Sequence, residues 1–96
     1  MIVVVDGASG RVSLADADNL KALSVELRDC DAGSADIGDL GRVEGEHAWL
    51  DIARLRALSP LAGDAAWNAG FDATIDYAGS KGWTDASGTH VRAHLS

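Results

Sequence analysis

Glu46-His47-Ala48-Trp49-Leu50-Asp51-Ile52-Ala53-Arg54-Leu55-Arg56-Ala57-Leu58 is the stretch on which the fold turns. Read as a single helix over 46–58, it supplies no strand. Read as two elements, it gives the strand His47-Ala48-Trp49-Leu50 and then a helix that Asp51 caps, with Ile52, Leu55 and Leu58 inward. A carboxylate placed just before an apolar helical stripe is a helix-start signal, which favours the two-element reading. Ser59-Pro60 ends that helix, because the residue before proline avoids the α region.

Working outward toward the N-terminus, Glu44-Gly45-Glu46 opens the strand segment that begins at Val43. Ahead of it, Ser34 can cap a short helix with Ile37 and Leu40 inward and Gly41 terminating it. Residues 16–29 fit two patterns. Leu20, Leu23, Ser24 and Leu27 fit a helical stripe with Asp16 as its cap, while Leu23, Val25 and Leu27 alternate as in a half-buried strand. The preferred division is a turn or short helix over 16–20, then a strand over 22–28, ended by Asp29-Cys30-Asp31-Ala32-Gly33. At the start of the chain, the β-branched run Ile2-Val3-Val4-Val5 stops at Asp6-Gly7-Ala8-Ser9-Gly10. Arg11-Val12-Ser13-Leu14 then alternates, so the two runs read as the arms of a hairpin. The unbroken apolar run suggests a first strand covered on both faces.

Toward the C-terminus the pattern is clearer. Asp64 caps a helix in which Trp67, Phe71, Ile75 and Ala78 share one face and Asn68, Asp72 and Asp76 another. Lys81 suits the last turn, and Gly82 is a natural C′ residue. Trp83 then falls at C″, where it packs back on the last turn or stands out as an interface anchor. In His90-Val91-Arg92-Ala93-His94-Leu95, the apolar and polar residues alternate without a break, as in a strand. The element order β, β, β, α, β, α, α, β predicts an α+β two-layer sandwich spanning residues 1–96 as one domain. Its sheet is expected to be small and mostly antiparallel, with about four or five strands and two or three helices on one face.

The 96 residues include 15 acids and 8 bases, a formal charge of −7. Phosphate binding needs clustered Lys and Arg, so a nucleic-acid partner is not expected. No run approaches the ~20 apolar residues of a membrane helix. A single Cys30 implies no disulfide, and the expected location is cytoplasmic. Its carboxylate neighbours Asp29 and Asp31 disfavour the thiolate, so it is not expected to be a nucleophile.

Few residues suggest chemistry. Gly7-Ala8-Ser9-Gly10 after an apolar strand is like the opening of a dinucleotide-binding unit. Ser13 stands where a third glycine would be, however, and a hairpin loop explains the same residues. His90 and His94 on a strand point the same way but lie about 13 Å apart, too far to share a metal. His90, Arg92 and His94 can instead form a polar wall that holds an anion, and His47, beside Glu44, Glu46 and Asp51, is a further candidate. Asp16, Asp18, Asp29, Asp31, Asp36 and Asp39 do not follow the calcium-loop spacing and read as caps and loop residues. Trp49, Trp67 and Phe71 are expected in the core.

No cofactor or metal is expected. The first expectation for function is a small acidic domain acting without catalysis, through contact with another protein or a second copy of itself. Strand 90–95 would then form a sheet edge, and Trp83, Val91 and Leu95 the interface. The alternative is a small anionic-ligand-binding protein or enzyme using His90, Arg92, His94 and His47.

Overall fold

The computed structural model describes residues 1–33 and 35–95. In chain order it contains β1 (Ile2–Asp6), β2 (Arg11–Ala15), β3 (Ser24–Arg28), a 3-10 turn (Gly38–Leu40), β4 (Gly41–Glu44), β5 (His47–Asp51), α1 (Ile52–Leu58), α2 (Ala65–Ser80) and β6 (His90–Leu95). The six strands form one sheet in the order β2-β1-β3-β6-β5-β4. The radius of gyration is 12.6 Å.

The α+β class agrees with the sequence pattern, but the sheet differs from the expected four or five mostly antiparallel strands. It has six strands and is mixed. The β1–β2, β4–β5 and β5–β6 pairs are antiparallel, whereas β1–β3 and β3–β6 are parallel. The additional strand, β4, is four residues long and begins at Gly41, so its pattern is too short to show a period. Strand direction leaves no trace in hydrophobic alternation, which is the same for both pairings.

The stretch 46–58 divides at Asp51. Ala48 and Leu50 are fully buried and pair in register with Ala93 and Val91. The Asp51 carboxylate accepts from the Arg54 N–H at 3.0 Å and starts α1. Burial between strands thus prevails over the continuous helix. Asp64 caps α2 in the same way, accepting from the Trp67 N–H at 2.9 Å. The helix ends as its sequence signals, with Gly82 at φ 77°. The Gly82 N–H reaches the Gly79 carbonyl at 3.1 Å and the Trp83 N–H reaches that of Ala78 at 2.9 Å, the paired bonds of a Schellman motif.

Residues 16–20 form no helix, and Asp16 is not a helix cap. Asp16 has φ 50°, and its carbonyl accepts from the Asn19 N–H to close a turn. The segment is held by α2 instead. The Trp67 indole N–H donates to the Ala17 carbonyl at 2.6 Å, and the Thr74 hydroxyl to that of Leu20 at 2.8 Å. Ser34, expected as a cap, lies outside the described residues. Ile37 and Leu40 are buried as expected. At Gly41 the φ is 147°, and a Cβ would overlap the Trp49 carbonyl, so this position needs glycine.

One face of the sheet carries the core. Val3, Val5, Val25, Ala48, Leu50, Val91 and Ala93 are buried in one cluster with Leu55 of α1 and Trp67, Phe71 and Ala78 of α2. Trp67 stacks on Phe71 with centroids 5.0 Å apart. Trp49 is not in that cluster, contrary to expectation. It alternates with Ala48 and Leu50, so its ring lies half-buried on the opposite face, with the Arg42 guanidinium 5.7 Å from its centroid. The last strand is interior, between β3 and β5, and the edges of the sheet are β2 and β4. Among the described residues no helix is long and apolar enough to cross a membrane.

Candidate functional site

Strand β6 is covered unevenly. Along one side it pairs with β5 over five positions. Along the other, only His94 and Leu95 pair with Ser24 and Val25 of β3. Nearer its start, the Arg92 N–H donates to the Trp83 carbonyl at 2.7 Å, and Val91 bridges Thr84. A cavity of about 300 Å³ opens at this junction, backed by the second half of α2. Four basic or imidazole side chains line it: Lys21, His47, Arg92 and His94. Leu23, Ile75, Ala78 and Val91 supply its apolar wall, and Tyr77 and Trp83 complete it.

Register places the two histidines together. Leu95 donates its N–H to the Glu46 carbonyl, so 46 and 95 are a hydrogen-bonded pair. The neighbouring pair, His47 and His94, is therefore non-hydrogen-bonded, the kind whose side chains approach most closely. Their ring centroids lie 5.6 Å apart, edge to face. By the same count Arg92 faces Trp49 across the ladder, and His90 faces Asp51.

Among the described residues three cations are in ion pairs and five, Arg11, Lys21, Arg54, Lys81 and Arg92, are not; two of these five line the cavity. Arg28 pairs with Glu26, Arg42 with Glu44 and Arg56 with Asp72. Among the described residues, the Lys21 ammonium and the Arg92 guanidinium have no hydrogen bond or ion pair, and no carboxylate lines the cavity. The two large hydrophobic side chains that stand exposed, Tyr77 at 58% and Trp83 at 38%, both belong to it. They meet edge to face with centroids 6.0 Å apart.

His90 is placed elsewhere. Its Nδ1 lies 2.8 Å from the Thr89 hydroxyl and 3.2 Å from Asp85 Oδ2. Asp85 also accepts from the backbone N–H groups of Thr89 and His90 and from the Ser87 hydroxyl. Desolvation acts to raise the Asp85 pKa, but these hydrogen bonds and the nearby imidazole together outweigh it and hold the carboxyl below its ordinary range. The residue types resemble a hydroxyl–imidazole–carboxylate relay, but the geometry does not. In a relay the hydroxyl and the carboxylate engage opposite ring nitrogens, whereas here both approach Nδ1. The cluster closes the loop before β6.

Of the polar residues singled out in the sequence, then, the structure brings His47, Arg92 and His94 to one cavity and leaves His90 outside it. Val91, expected at an interface, is 2% exposed and lies in the core, and Leu95 is half-buried against it. Lys21 was missed in the sequence because it stands alone in an irregular segment, and α2 positions that segment through Trp67 and Thr74. Asp6 accepts from the Ala8 N–H at 2.9 Å; mainly for that reason its pKa lies below the ordinary range. It holds the hairpin turn. Cys30 directs its thiol toward the Val5 carbonyl at 3.9 Å. Among the described residues no three His, Cys, Asp or Glu side chains are placed to hold a metal. Comparison with protein-family models, curated proteins and solved structures finds no match to this chain.

Proposed function

We propose that this protein is a binding domain for a small organic anion, held in the cavity lined by β6, α2 and the segment just before β3. The carrying observation is the convergence of two unpaired cations, Lys21 and Arg92, on one cavity that, among the described residues, no carboxylate lines, on a chain of net charge −7. Arg92 is half-buried, and burying part of a charged side chain is costly unless it is paired; Lys21, at the same cavity, is exposed. With acids in excess, leaving two cations unpaired beside an apolar wall suits a ligand that brings the missing negative charge. Arg92 has the planar fork that grips a carboxylate or phosphate. His47 and His94 add hydrogen-bonding nitrogens at the same place. The single hydrogen of the Thr74 hydroxyl is shared between the Leu20 and Gly70 carbonyls, so the reading is one of binding rather than nucleophilic turnover. The competing reading, a strand edge offered to a protein partner, lacks its edge, because β6 is interior.

Thermal unfolding in a panel of small anions tests the proposal. A ligand present at one hundred times its dissociation constant adds about 2.7 kcal/mol of stability, which raises Tm by roughly 10 °C or more in a domain this small. Arg92→Gln is expected to fold with little change and to abolish the shift. A panel that stabilises wild type and Arg92→Gln equally overturns the proposal.

A further inference from the structure

The cavity's shape and lining point to a narrower ligand class. We infer that the site takes a small aromatic acid, one ring joined to a short anionic arm; this inference rests on the anion-binding reading above. Three observations carry it. First, a cavity of about 150 Å³ lined by apolar groups admits benzene, so about 300 Å³ has room for one ring and a few further atoms. Second, the site is two-ended. The Trp83 carbonyl accepts from the Arg92 N–H, so Trp83 lies beside Arg92, and His94 lies two residues further along the same strand face, about 7 Å on. An aromatic corner of Trp83 and Tyr77 thus stands at one end, the His47–His94 pair at the other, and Arg92 between them. Third, Trp83 and Tyr77 are exposed although both are large and apolar. Their edge-to-face arrangement leaves ring surface against which a third ring can pack.

The anionic arm would sit on Arg92, with Lys21 and the histidines near it. A carboxylate and a phosphate share this chemistry. A ligand with the charge alone would leave the aromatic corner wet, and one with the ring alone would leave both cations unpaired.

Titrations of the intact protein, followed by amide chemical shifts, separate these cases. The probes are 3-phenylpropanoate, phenyl phosphate, 3-phenylpropanamide, propanoate and inorganic phosphate. At least one aromatic anion is expected to bind with a dissociation constant on the order of 0.1–1 mM, shifting residues 21, 23, 74–78, 83 and 91–94. The amide and the ring-free anions are expected to bind at least tenfold more weakly. Tighter binding of phenyl phosphate than of phenylpropanoate assigns the arm as phosphate and upholds the inference. Propanoate or inorganic phosphate binding as well as the aromatic anions overturns it, while the anion-binding reading stands. An amide that binds as well as the acid, or no shift with any probe, overturns both. Tyr77→Ala, at a 58% exposed position, is expected to keep the fold and to weaken the aromatic anions at least threefold without changing inorganic phosphate; an unchanged aromatic affinity also counts against the inference.

Discussion

The two ends of β6 hold chemically similar residues in opposite states. At its start, His90 is tied to Thr89 and Asp85, and the Asp85 carboxylate gathers four donors from residues 87–90. At its end, among the described residues, His94 meets only the ring of His47, and Arg92 and Lys21 have no anionic partner. Both ends lie on the same face of one strand, four residues apart. A polar residue whose hydrogen bonds are consumed by its own loop contributes to the fold. One whose hydrogen-bonding groups converge on a cavity without protein partners is available to a ligand. Residue type does not distinguish the two, but partner geometry does.

This contrast can be broken by mutation. The largest loss is expected on the buried face of the same strand. Val91→Ala, at a site 2% exposed, should cost about 2 kcal/mol in denaturant unfolding, because the space between Leu50 and α2 would close only in part. At the tied end, Asp85→Asn should lower Tm by on the order of 8 °C at neutral pH, since several hydrogen bonds lose their charged acceptor. The pH dependence has a definite sign. The folded pKa of Asp85 is depressed, so its contribution is present above the unfolded value of about 3.9 and is lost as pH falls through the folded value. Wild type and Asp85→Asn should therefore converge in stability as pH falls through the folded value. A gap that persists undiminished in acid would show that the carboxylate charge is not what closes the loop.

At the open end the losses should be smaller. Trp83→Ala should cost about 1 kcal/mol, from its contact with Tyr77 and the last turn of α2. His94→Ala should stay within about 0.5 kcal/mol of wild type. If His94→Ala proved as destabilising as Asp85→Asn, the two ends would not differ in the way described.

Much of the fold was legible residue by residue. The β1–β2 hairpin, the Asp51 and Asp64 caps, the Trp67-Phe71-Ile75-Ala78 stripe, the Gly82 C′ position and the alternation of β6 all follow from short-range rules, because each depends on groups within a few residues of one another. Trp49 shows where those rules stop. Its alternation placed it on a strand but could not say which face the helices would cover, and it lies opposite the core. The candidate site was half legible. His47, Arg92 and His94 could be singled out as residue types, and His90 with them, since alternation alone puts His90 on the same face. Nothing local separated His90 from the others, because Asp85 reaches it through a loop closure.

Local chemistry thus accounts for which segments become strands and helices, where they start and end, and the acidity of the surface. The order of strands came from elsewhere. The last strand enters between β3 and β5 because Val91 and Ala93 are buried there against Leu50 and Ala48, a long-range choice that no local period encodes. The cavity follows from the same choice. With β3 pairing β6 at two positions only, a gap remains, and residues distant in the chain, Lys21, His47, Tyr77 and Arg92, come to share it.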